Sequence, residues 1–138
     1  MRWAEQLIKL SNFELEVLQV RMADVVERRT HAELKLAVLT AEGEAEVALA
    51  RANPEVSWRL GAFTEGLKVR KAAAQGEIDR LLAEERGVRD AISEAFETLK
   101  KYEQVADNAK ALATRETARR ETAALDEMGL RRAVAGRR

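Results

Sequence analysis

Hydrophobic spacing constrains this chain more than any other feature. Ile8, Leu15, Leu18, Met22, Val25, Ala32, Leu36 and Leu39 share one ladder, and from Leu15 on the steps are all three or four residues when the polar slot at Arg29 is counted. Such a ladder keeps a narrow apolar seam turned toward a partner helix over many turns, which is how a coiled coil is specified. A second ladder lies downstream: Leu60, Phe63, Leu67, Ala74, Ile78, Leu81, Val88, Ile92, Ala95, Leu99, Tyr102, Ala106, Ala109 and Ala113. The chain's one proline, Pro54, stands between the two. The pattern predicts an all-α fold, a long antiparallel two-helix coiled-coil hairpin.

Composition agrees with a thin fold. At 138 residues there is room for one domain; 35% of residues are charged and 4% aromatic, which suits two helices with solvated outer faces better than a layered core. Alanine raises the apolar share, and it both fills narrow seams and favours helix. With no cysteine, disulfides, thiolate chemistry and cysteine zinc sites are excluded. Glu5, Lys9 and Glu14 interrupt the N-terminal apolar cluster, so it does not resemble a signal peptide. No apolar run approaches the roughly 20 residues of a membrane span. The expectation is a soluble, cytoplasmic protein.

The balanced charge is unevenly placed. Residues 39–67 carry five glutamates (Glu42, Glu44, Glu46, Glu55, Glu65) against Arg51 and Arg59, while residues 129–138 carry four arginines and no acid. An acidic hairpin tip and a basic C-terminal end are expected to meet different partners.

The predicted organisation is a single domain over 1–138: helix 1 over about 4–50, a turn near 51–55, helix 2 over about 55–130, and a flexible basic C-terminus. Asn53 is placed to cap the second helix, with Pro54 at its first position and Glu55 in its first turn; the alternative is a turn reaching Gly61. Folding at residue 54 sets residue i opposite roughly 108 − i, which leaves about 30 residues of helix 2 without an intramolecular partner. Glycines 61, 66, 76 and 87 weaken early helix 2 by about 1 kcal/mol each relative to alanine.

No catalytic constellation, metal set or nucleotide-binding loop emerges, so neither an enzyme nor a cofactor is expected. His31 stands beside Arg28 and Arg29 with no second histidine, and reads as a solvated or seam-edge residue. Arg29 sits on the seam, facing the region of Glu77 and Asp79. There it either forms a buried register-setting ion pair or reaches out to water. Arginines near the C-terminus are interleaved with acids and lack stacking aromatics, which disfavours nucleic acid. Trp3 and Phe13 are expected to close the open end of the seam. Trp58 and Phe63 lie near the tip, where a capping role competes with a partner-binding one.

One stretch carries a family likeness. Leu99-Lys100-Lys101-Tyr102-Glu103, then Arg119-Arg120-Glu121, then Ala124-Leu125-Asp126-Glu127-Met128-Gly129-Leu130-Arg131-Arg132, resembles the C-terminal half of the flagellar export protein FliJ family. Chain length and the helical hairpin agree with it. The resemblance implies a non-enzymatic component of flagellar type III protein export, similar to the central stalk of rotary ATPases. It implies three partners: the hexameric export ATPase, the membrane export-gate protein and export chaperones, with membrane association only through them. Arg119, Arg120, Asp126, Glu127, Arg131 and Arg132 would then contact the ATPase ring. The family's gate-binding patch is apolar and lies on the second helix near the hairpin; Phe63 and Leu67 resemble it, with Trp58 nearby. Arg70 and Ala74 depart from that pattern, and the four glycines depart from a stiff, straight stalk. A general cytoplasmic coiled-coil adaptor is the alternative.

Overall fold

A computed structural model describes residues 2–137. Helix α1 spans Arg2–Ala52, a 3-10 turn spans Pro54–Arg59, and helix α2 spans Leu60–Gly136. No strand occurs among the described residues, and the two helices form an all-α helical hairpin. The chain divides into two compact units, Leu15–Glu94 and the pair of segments Met1–Glu14 with Ala95–Arg138.

Chain reversal in the Leu15–Glu94 unit is set by local chemistry. Asn53 leaves the helix with φ −136° and ψ 92°, as a residue before proline must. Its backbone N–H still donates to the Leu49 carbonyl at 2.9 Å, while its side-chain oxygen accepts from the Glu55 N–H at 3.3 Å. Ser57 Oγ closes the turn by donating to the Pro54 carbonyl at 2.7 Å. The capping role of Asn53 is therefore as expected, but it starts a 3-10 turn, and α2 itself begins at Leu60.

That turn moves the register. The ion pairs of the hairpin's middle centre on residues 56–57, within the 3-10 segment: Arg28 meets Glu84 and Arg29 meets Glu85. The pivot expected at Pro54 is thus displaced, and Arg29 faces Glu85 rather than the region of Glu77 and Asp79.

Within this unit the buried clusters of the seam are made of residues the ladder singles out. Ala32, Ile78 and Leu81 form one buried cluster, with Leu36 and Leu82 against it. Leu39, Leu67 and Ala74 form the next, flanked by Leu36 and Phe63. Val25 and Leu81 are the largest fully buried side chains. Gly43 occupies a seam position because Leu67 fills its place: a Cβ there would lie 2.5 Å from Leu67 Cδ2. On α2 the half-buried and buried positions Phe63, Leu67, Lys71, Ala74 and Ile78 contain two successive four-residue steps. Such an irregularity locally unwinds a heptad pattern.

In the other unit Ala4, Ser11 and Leu99 are buried, and half-buried positions continue along α2 through Ala106 and Ala109. Beyond Ala109 every described residue except Glu116 is exposed, including Ala113, the last rung of the expected ladder. Trp3 and Phe13 do not close this seam; they are 54% and 61% exposed, because their positions fall on the far side of α1.

Candidate partner-docking surfaces

Three sets of side chains stand out: a polar layer within the hairpin, the aromatic tip, and the C-terminal stretch of α2. In the polar layer, Arg29 Nε donates to Glu85 Oε2 at 2.8 Å and Nη1 donates to Glu33 at 3.0 Å. Glu85 is buried and also accepts from Arg89 at 3.4 Å. Beside it, Arg28 bridges Asp24 and Glu84, each at 3.0 Å. Hydrogen bonds to Glu33 and then Glu85 raise the Arg29 pKa above its ordinary value, so the guanidinium stays charged in the seam. Of the two alternatives for Arg29, the ion pair holds, with Glu85 as its partner. This layer fixes register, since a shift of either helix would take Arg29 from the buried Glu85 carboxylate and leave it only the longer contact to Arg89 on its own helix.

At the tip, Trp58 is 79% exposed on the 3-10 turn. Phe63 is half-buried against the Leu39 cluster, and the Arg70 guanidinium lies 5.8 Å from its ring centroid. Leu67 is buried in the seam. The three tip residues singled out from sequence therefore have different characters: Trp58 is free, Phe63 shows one side, and Leu67 supports the hairpin. Arg59 reaches Glu46 across the turn at 4.0 Å. A shallow groove beside the tip is lined by Thr40, Gly43, Val47, Phe63 and Leu67, with Glu44, Arg51 and Lys71 at its edges.

The C-terminal stretch brings its predicted residues together as local pairs on one helix. Arg119 holds Glu116 at 2.9 and 3.2 Å, Arg120 approaches the same carboxylate at 3.3 Å, and Arg131 holds Glu127 at 2.9 Å. Asp126 and Arg132 are exposed and form no ion pair among the described residues. Leu125, Met128, Leu130 and Val134 are each more than half exposed. Helical spacing sets Leu125 with Met128 on one side and Leu130 with Val134 on nearly the opposite side. The sequence reading passed over these four as contact residues because they do not share one ladder.

Among known proteins, two relatives match along essentially the whole chain. Each is named Flagellar FliJ protein, from two strains of Caulobacter vibrioides, and each is 46% identical over 137 residues, covering 99% of this chain and 99% of the relative. The chain belongs to the FliJ family. That membership agrees with the likeness carried by the Leu-Asp-Glu-Met-Gly-Leu-Arg-Arg run, and it makes this a flagellar protein. No family model matches the chain and no solved structure is detectably similar to it. No helix among the described residues is long and apolar enough to cross a membrane.

Proposed function

We propose that this FliJ-family chain is a cytoplasmic, non-enzymatic component of flagellar type III protein export. It serves as a stalk-like coupler between the export ATPase ring and the membrane export gate, and it handles export chaperones. The observation that carries this reading is the C-terminal stretch of α2. Past Ala109 the helix continues to Gly136 with exposed apolar side chains on two sides and arginines between them. A single packed neighbour would use one side; a partner that surrounds the helix would use both. Arg119, Arg120, Asp126, Glu127, Arg131 and Arg132 are the contacts proposed for the ring. Trp58 and the open side of Phe63 are those proposed for the gate, with Leu67 holding the seam beneath them. Coupling on this reading is steric and electrostatic, with no bond chemistry done by the chain.

The test separates the two surfaces. Arg131→Glu with Arg132→Glu is expected to weaken ATPase binding about tenfold and to leave the melting curve unchanged, since both side chains are exposed. Trp58→Ala is expected to spare ATPase binding and to weaken gate binding, as loss of an exposed aromatic anchor affects its own interface. If both variants lose the same partner to the same degree, a single-site adaptor is the better account.

A further inference from the structure

Helix α1 carries a second apolar ladder that the hairpin does not use. Trp3, Leu10, Phe13, Val17 and Val20 are 54%, 53%, 61%, 50% and 72% exposed. With Gln6 they follow one another by 3, 4, 3, 4 and 3 residues. The seam positions of the same helix run Ala4, Ile8, Ser11, Leu15, Leu18 and Met22. At 3.6 residues per turn the second ladder lies about 200° around the helix from the first, almost opposite it. Surface helices usually have one apolar stripe, and single exposed apolar residues need no explanation. Five in heptad phase specify a helix partner. Asp24 and Glu27 hold the next two rungs and end the stripe.

We propose that this ladder is the interface of a homodimer in which α1 of one copy lies parallel to α1 of a second copy over residues 3–20. Flanking charge selects both the occupant and its direction. With Trp3, Leu10 and Val17 as the a positions, Lys9 and Glu16 become g positions while Glu14 and Arg21 become e positions. In a parallel pair each g residue faces the e residue five places further along the other helix. Lys9 then meets Glu14 of the second copy and Glu16 meets Arg21, twice each by symmetry. All four side chains are exposed, and none forms an ion pair among the described residues, although α1 makes such pairs further along at Arg28 and Arg29. An antiparallel pair would match only Lys9 with Glu16. The second copy therefore supplies both the apolar rungs and the countercharges that the chain alone lacks, and α2, which packs on the far side, already holds the helix in shape for docking.

Because the chain has no cysteine, a single introduced thiol reports the geometry directly. Sedimentation velocity on the full chain is expected to show dimer increasing with concentration up to about 100 μM, as mass action requires. Leu10→Cys is expected to cross-link to itself across the parallel pair on mild oxidation. Phe13→Glu with Val17→Glu should give monomer with unchanged helical circular dichroism. Lys9→Glu should weaken the dimer at low salt, and Lys9→Glu with Glu14→Lys should restore it, whereas an antiparallel pair would not recover. A wild-type chain that stays monomeric at every concentration overturns the proposal and leaves the ladder to a helix of another protein. A dimer that survives Phe13→Glu with Val17→Glu overturns it in favour of another surface. Neither result depends on ATPase or gate binding.

Discussion

The seam around Leu81 and the stretch of α2 beyond Ala109 are both helix, but they are helical for different reasons. Near Leu81 each turn places a side chain against the other helix, and Val25 and Leu81 are almost wholly withdrawn from water. Beyond Ala109 the backbone follows the same geometry with nearly every side chain in solvent. Tertiary burial maintains the first; propensity and local ion pairs such as Arg119 with Glu116 maintain the second. One sequence pattern can thus write a helix packed along its seam and a helix whose side chains stay in solvent. Burial, not helicity, distinguishes them.

The sharpest way to break that comparison is to truncate one leucine in each region. Leu81→Ala is expected to cost about 3 kcal/mol, since it removes a buried side chain from a seam with little capacity to collapse. Leu130→Ala should change stability by less than about 0.5 kcal/mol, its side chain being 67% exposed. Urea unfolding followed by circular dichroism measures both, and equal losses would mean that residue 130 is packed in solution. Amide exchange should show the same contrast, slow around Leu81 and fast from Ala113 onward.

The polar layer separates stability from specificity. Glu85→Leu should lower the unfolding midpoint, by less than Leu81→Ala does, because it leaves Arg29 in the seam without its cross-helix partner. Replacing both, Arg29→Leu with Glu85→Leu, should recover the midpoint or exceed it, while freeing the register. Paired cysteines at Leu36 and Ile78 report this: cross-linking should be confined to one register in the parent and spread to shifted pairs in the double variant. A double variant as unstable as Glu85→Leu would show that the ion pair contributes stability in its own right.

Much of this was legible in the sequence. The 3–4 ladders gave the hairpin and its seam, including Leu36, Leu39 and Ala74, and the capping by Asn53 followed from Asn-Pro-Glu. The register was not legible, because the length of a reversal depends on whether the residues after proline take an α or a 3-10 path. Six residues of 3-10 helix moved the pivot of the polar layer from 54 to 56–57, and Arg29 found Glu85. At the tip, spacing placed Leu67 beside Phe63 but did not reveal that Gly43 opens a hole that draws Leu67 inward. The second ladder of α1 was readable from Trp3 onward, but the stronger seam took precedence.

Glycine substitutions sharpen the same distinction between packed and open helix. A Cβ at Gly76 meets nothing within 4 Å, so Gly76→Ala should stabilise by about 0.5–1 kcal/mol through helix propensity and reduced unfolded-state freedom. Gly43→Ala receives the same propensity gain, but its methyl must displace Leu67, and it should gain less or lose stability. Matching gains at both sites would mean that Leu67 does not pack where the hairpin puts it.

The smallest effect expected is electrostatic and belongs to Glu77. Its carboxylate accepts from the Arg80 guanidinium at 2.6–3.1 Å, and this hydrogen bond lowers its pKa from the ordinary 4.5; the charges of Arg80, and of Arg28 and Lys35 on α1, act in the same direction, while partial desolvation opposes them. A carboxylate whose pKa is depressed in the folded state binds protons less readily there than in the unfolded chain. Its contribution to stability is therefore present above pH 4.5 and is lost as pH falls through the lowered folded value. Side-chain exposure of 44% and solvent screening keep that contribution small. Glu77→Gln should accordingly leave a shallower decline of the thermal midpoint between pH 5 and pH 3 and a nearly unchanged midpoint slope above it. Raising the salt concentration should shrink the difference between variant and parent, because the cross-helix share from Arg28 and Lys35 is screened first. An acid decline that is identical in the two proteins would place the pH-sensitive carboxylate elsewhere on the hairpin.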